Sequence, residues 1–194
     1  MLYTFYLCHM CNAQLICDTI YRDKDTLLSC TTFYKSGRIK SKYQLINDKF
    51  HNRHTRFYEN GQIQSTSMYN HGELVDTIYT YYPSGKLEGV GLNNGRWFSL
   101  SEKGDTLSVG NSNNGKSVGV HCAWYNNGQR QYITTYNDSG KKDGLSVRWR
   151  EDGTVQDSVI YRNEEIIEGW HYYDNGKLHY IQKKKGNDKY YSMI

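Results

Sequence analysis

Four sets of residues have types and spacings suited to chemistry. Residues 110–117 read GNSNNGKS and satisfy G-x-x-x-x-G-K-[ST], a loop whose backbone amides and lysine cradle phosphates. His51 and His54 stand three apart in HNRH. Cys8 and Cys11 form C-x-x-C, a unit of thiol exchange and of zinc sites. Glu59, Glu102, Asp105, Asp152 and Asp174 offer carboxylates for acid–base work.

Each chemistry needs a particular scaffold. A phosphate loop follows a buried strand and opens a helix whose N-terminus helps hold the anion. Here VGVHCAWYNNGQR follows, a strand running into another turn, and no apolar run ending in Asp supplies a magnesium-binding strand. On a strand, His51 and His54 point to opposite sides. One C-x-x-C cannot furnish four zinc ligands. The acidic residues sit in or beside turns, and nothing marks a catalytic pair. No G-x-S-x-G element is present. The chain is therefore read as non-catalytic, with no metal and no cofactor.

What positions these residues is a repeat. FYKSGRI (Phe33 to Ile39), FYENGQI (Phe57 to Ile63) and YYPSGKL (Tyr81 to Leu87) recur every 24 residues. WYNNGQR (Trp124 to Arg130), WREDGTV (Trp149 to Val155) and YYDNGKL (Tyr172 to Leu178) follow, with a degraded copy at LSEKGDTL, Leu100 to Leu107. Intermediate turns fall halfway, at YNHGE, LNNGR, YNDSGKKDG and YRNEE. Gly115 belongs to that intermediate set, so the phosphate-loop match reads as a repeat turn. Turns about every twelve residues predict a continuous meander of short antiparallel strands, and no 3.6-residue apolar period predicts a helix.

Composition agrees. The 194 residues include 19 Tyr and 18 Gly but one Pro. Tyr favours pleated, half-buried surfaces and Gly favours tight turns. A mean hydropathy of −0.82 argues against a large dry core and against a spanning helix. The expected fold is all-β, an extended antiparallel meander of repeated hairpins in a single elongated sheet. Read as two-residue type I′ loops, the Asn-Gly corners place Tyr58 opposite Ile63 and Phe57 opposite Gln64. Phe57, Tyr81, Trp124, Trp149 and Tyr172 then form an aromatic ladder suited to a partner, and Gly37, Gly61, Gly85, Gly128, Gly153 and Gly176 are turn glycines.

Charge and termini bound the partner and the compartment. A net charge of +4 is spread along the chain except at Lys183 to Lys185, so no basic stripe predicts nucleic acid. Residues 1–13, ending in CNA, read as a truncated signal peptide before a repeat domain at residues 14–194. A periplasmic or secreted location follows, the cytoplasm being the alternative. Removal of residues 1–13 leaves Cys17, Cys30 and Cys122, and Cys17–Cys30 is one pairing open to them.

The units resemble the MORN repeat in its bacterial variant: aromatic, x, Asn-Gly, Lys, Leu, then Tyr, x, x, Gly and a further Gly. The stretch from Trp124 to Trp149 carries the resemblance best, which extends over residues 30–180. The variant is typical of YwqK-like antitoxins. The resemblance implies a non-catalytic antitoxin or immunity protein that neutralises a partner toxin, and the chain is read as a monomer. The alternative, motivated by Lys183 to Lys185 and the mild basicity, is a secreted or envelope-associated scaffold binding membrane lipid or surface proteins. Departures are the unit around Gly104, which lacks the aromatic pair, Arg130 in the aliphatic position, Arg150 in the second aromatic position, and Glu164 at a turn Gly.

Overall fold

Asparagine and glycine corner this chain in two ways. The computed structural model describes residues 15–22, 25–92, 94–185 and 188–193. At four of the intermediate corners, Asn47-Asp48, His71-Gly72, Asn114-Gly115 and Asn163-Glu164, φ is positive at both positions. These are two-residue type I′ hairpins, whose twist matches that of the flanking strands. Glu164, at φ 72°, occupies this conformation without a glycine. Residues 110–117 lie at the end of one strand, in the Asn114-Gly115 turn and at the start of the next strand, so no helix receives a phosphate there.

The principal corners differ from the sequence expectation. Gly61 donates its N–H to the Tyr58 carbonyl at 2.9 Å, and Tyr58 donates to the Gln62 carbonyl at 2.8 Å. Gly61 alone takes positive φ, at 89°. This is a three-residue loop, a type I turn closed by a glycine bulge. The Asn60 side chain explains the choice. Its Oδ1 accepts the Gln62 N–H at 3.0 Å, which holds Asn60 in a local turn of its own. Gly37, Gly85, Gly128, Gly153 and Gly176 sit in the same position, with φ between 76° and 86°. The extra loop residue moves the register by one. Phe57 faces Ile63 rather than Gln64, Tyr81 faces Leu87, Trp124 faces Arg130, Trp149 faces Val155 and Tyr172 faces Leu178.

The described strands form two compact units, divided between Gly91 and Leu92. The first comprises β1 (Leu15–Arg22), β2 (Asp25–Phe33), β3 (Ile39–Ile46), β4 (Lys49–Phe57), β5 (Ile63–Asn70), β6 (Glu73–Leu74), β7 (Ile78–Tyr81) and β8 (Leu87–Gly91). The second comprises β9 (Gly95–Leu100), β10 (Thr106–Asn113), β11 (Lys116–Trp124), β12 (Arg130–Tyr136), β13 (Lys142–Trp149), β14 (Val155–Arg162), β15 (Glu165–Tyr172), β16 (Leu178–Lys185) and β17 (Asp188–Met193). Each unit is an antiparallel meander, and among the described residues there is no helix. In the first unit β5 pairs with both β6 and β7, a local break in an otherwise sequential order. The all-β meander expected from the turns is present.

Few apolar side chains are buried. Cys30, Ala123, Val147 and Val159 are the hydrophobic residues buried among those described. Stability must therefore come from the ladders and from ties between repeats. The second aromatic of each unit provides such a tie. Tyr34 Oη donates to the Phe57 carbonyl at 2.6 Å, Tyr58 Oη to Tyr81 at 2.8 Å, and Tyr125 Oη to Trp149 at 2.9 Å. Each bond reaches the corresponding point of the next repeat. Arg150, the exception in sequence, does the same work. Its Nη2 donates to the Tyr172 carbonyl at 2.7 Å and its Nε to Asp174 at 2.9 Å. Turn amides add a second tie, from Asn60 Nδ2 to the Pro83 carbonyl and from Asn127 Nδ2 to Glu151.

A half-buried hydrogen bond of this kind contributes about 1 kcal/mol net. Tyr125→Phe is expected to lower unfolding free energy by about 1 kcal/mol, and Arg150→Tyr to change it by less, because a phenol can replace the guanidinium tie. Urea denaturation checks both. A neutral Tyr125→Phe would show that the bond is exchanged for water at no cost.

Cys17 and Cys30 stand directly opposite on β1 and β2 and are joined by a disulfide, with Cα atoms 4.1 Å apart. Cys122 is a free thiol. Residues 1–13, with Cys8 and Cys11, lie outside the described residues.

Candidate functional site

The register of the second unit sorts its side chains onto two faces of different chemistry. Residues directly opposite on neighbouring strands share a face. Phe98, Val109, Cys122, Ile133, Val147, Ser158, Trp170 and Ile181 form one such row, crossing β9 to β16. Seven of those eight positions are apolar. Beside this row stand Val120, Leu145 and Ile160, which remain 47 %, 48 % and 36 % exposed. Leu145 and Ile160 are direct cross-strand partners. Among the described residues this face, here the outer face, carries exposed apolar side chains.

The opposite face is polar and more deeply buried. One row runs His121, Thr134, Ser146, Val159, Gly169 and Gln182, and every member is buried. Thr134, Ser146, Val159 and Gly169 have small side chains or none. Thr134 and Ser146 share a hydroxyl bond at 2.9 Å. His121 lies with Nε2 2.9 Å from the Asn111 carbonyl, edge-on to the Trp97 ring at 5.2 Å and tilted against Tyr136 at 4.7 Å. A side chain at Gly110 would meet Trp97 Cζ2 at 2.5 Å, which explains why that position of the GNSNNGKS stretch is glycine.

The adjacent row on this face is Tyr132, Arg148, Asp157, His171 and Tyr180. Asp157 is 3 % exposed and is held by Arg148, whose Nε donates at 2.8 and 3.1 Å and whose Nη2 lies 2.6 Å from Oδ2. His171 stacks on Tyr180 with centroids 4.2 Å apart, and burial lowers its pKa so that the imidazole stays neutral near pH 7. Burial raises the pKa of Tyr132, Tyr136 and Tyr161, which keeps the three phenols protonated. Together Tyr132, Tyr136, Tyr161, Thr134, Ser146, Lys142, Arg148, Asp157, Val159, Ile166 and His171 line a groove of about 420 Å³.

The residues singled out in sequence lie elsewhere. Phe57 and Tyr81 are half-buried at hairpin ends of the first unit, and Trp124, Trp149 and Tyr172 occupy equivalent places in the second. None lines the groove. The carbonyls of Phe57, Tyr81, Trp149 and Tyr172 accept the ties between repeats. The Arg130 guanidinium lies 5.5 Å over the Trp149 ring, so the unusual Arg130 packs against an aromatic of the next repeat. His51 and His54 make separate contacts, His51 with His71 and His54 with Tyr43, Phe50 and Tyr69. Among the described residues no group of three or more His, Cys, Asp or Glu is placed to hold a metal. The signal missed in sequence was the alternation inside β11 and β13, where Val118, Val120 and Cys122, and Leu145, Val147 and Trp149, fall at every second position and mark the outer face.

Two segments match the family described as MORN repeat variant, residues 50–71 and residues 117–138. Each covers one hairpin and its tie-forming tyrosine, Tyr58 or Tyr125. No curated protein matches the chain. Among solved structures it is similar to a porin-like protein from Bacteroides uniformis ATCC 8492, at 14 % identity and a TM-score of 0.24. The match covers 94 % of this chain and 59 % of that one, so the chain spans less than two thirds of its length.

Proposed function

We propose that this chain, with its MORN-variant repeats, is a non-catalytic protein that binds a protein partner across the outer face of its second unit, as an antitoxin or immunity protein. The observation that carries the reading is the exposed Leu145–Ile160 pair beside the apolar row from Phe98 to Ile181. A contiguous apolar surface on a soluble repeat marks an interaction site. Covering it contributes about 25 cal/mol for each Å² of apolar area removed from water. Trp170, next to the β16 end of the row, is the residue type that dominates such interfaces.

The Cys17–Cys30 disulfide supports an oxidising compartment, the periplasm or the exterior, over the cytoplasm. The lipid-scaffold alternative rested on Lys183 to Lys185. Lys183 pairs with Glu168 at 3.2 Å and Lys184 pairs with Glu165, so these two charges are locally balanced.

The test is co-expression with the product of the adjacent open reading frame. Expected results are relief of that product's toxicity, co-purification, and loss of both in Leu145→Asp and Ile160→Asp, each at least tenfold weaker in binding, about 1.4 kcal/mol. Unchanged binding by both variants would contradict the reading. Light scattering on the free protein separates a further outcome: a dimer abolished by Leu145→Asp would assign the face to a second copy of this chain.

A further inference from the structure

The groove on the opposite face has a chemistry of its own. Its tyrosines are open to a ligand: no described protein group hydrogen-bonds the phenol oxygens of Tyr132, Tyr136 or Tyr161. A protonated phenol both donates and accepts. Arg148 is committed to Asp157, a pair that is neutral overall. The Lys142 ammonium lies 5.0 Å over the Tyr161 ring, and the Glu164 side chain accepts the Lys142 backbone N–H at 2.7 Å.

The floor excludes a peptide strand. β12, β13, β14 and β15 each pair on both sides, so their backbone groups are taken and no sheet edge is offered inside the groove. What remains is aromatic walls, phenol hydroxyls, a neutral imidazole edge and a volume within the range of small-ligand sites, about 300–1,000 Å³. We propose that this groove binds a neutral oligosaccharide, whose C–H faces lie against Tyr136 and Tyr161 and whose hydroxyls exchange hydrogen bonds with the three phenols. Sugars present apolar C–H faces and hydroxyls that both donate and accept, which is the complement of this lining.

The test is an NMR titration of the whole chain with four neutral trisaccharides, chitotriose, cellotriose, maltotriose and mannotriose, and with octaglutamate for comparison. At least one trisaccharide is expected to shift the Tyr136 and Tyr161 ring resonances to saturation. Tyr161→Ala is expected to weaken that binding about tenfold, and Tyr161→Phe, which keeps the ring and the fold, about threefold. Leu145→Asp is expected to leave it unchanged, which separates this site from the protein-binding face. Absence of groove shifts with all four sugars, shifts confined to other residues, or a response to octaglutamate alone would overturn the proposal.

Discussion

Arg148→Ala is expected to lower the unfolding free energy of the second unit by about 3 kcal/mol, the largest loss among single side chains of the groove. The reason is Asp157 rather than the arginine. Asp157 is 3 % exposed, and among the described residues its hydrogen-bond donors are the Arg148 nitrogens. Removing one partner of a buried pair leaves a desolvated charge, at a cost of about 3–5 kcal/mol. The Arg148 side chain is itself 58 % exposed, so water entering its place offsets part of the penalty and puts the estimate at the low end. The double variant Arg148→Met/Asp157→Val is expected to recover most of the loss, since no charge is then buried. Urea midpoints measure both. Equal destabilisation in the single and the double variant would mean that packing, not the unpaired carboxylate, sets the cost.

Gly110→Ala is expected to cost about 2–3 kcal/mol. The added Cβ would lie 2.5 and 2.7 Å from the Trp97 ring and 2.9 Å from His121 Cδ2. Neither neighbour yields easily. The indole is a rigid plate, and His121 is 4 % exposed and tied to the Asn111 carbonyl. Overpacking of this kind costs about 1–3 kcal/mol. Pairing Gly110→Ala with Trp97→Ala is expected to remove most of the penalty of the added methyl, because the clashing ring is gone. A Gly110→Ala protein as stable as the parent would show that the strands separate freely at this point. The same variant bears on the GNSNNGKS stretch. Its first glycine accommodates an indole and its second corners a hairpin, so both have structural roles in a sheet.

Much of this was legible in the sequence. Gly61 and its equivalents marked the hairpins because few residues other than glycine accept the φ they require. The type of turn was not legible. Asn-Gly serves a two-residue loop at Asn114-Gly115 and a three-residue loop at Asn60-Gly61, and the difference lies in where the Asn60 side chain bonds. That one residue changed the expected partner of Phe57 and hid the assignment of faces. The role of Tyr34, Tyr58 and Tyr125 was likewise hidden. A phenol that reaches a carbonyl 23 or 24 residues ahead is seen only when successive repeats are side by side. The groove was illegible for a different reason: each strand from β12 to β15 contributes only two or three of its residues, and no short motif contains them.

The central claim is that the second unit keeps its apolar face uncovered in the free protein. Hydroxyl-radical footprinting of the free chain, read by mass spectrometry, tests it most directly. The account predicts fast labelling of Leu145 and Ile160 and slow labelling of Val147 and Val159, with the first two protected only when a partner is bound. Protection of Leu145 and Ile160 in the free monomer, at the level of Val159, would contradict it.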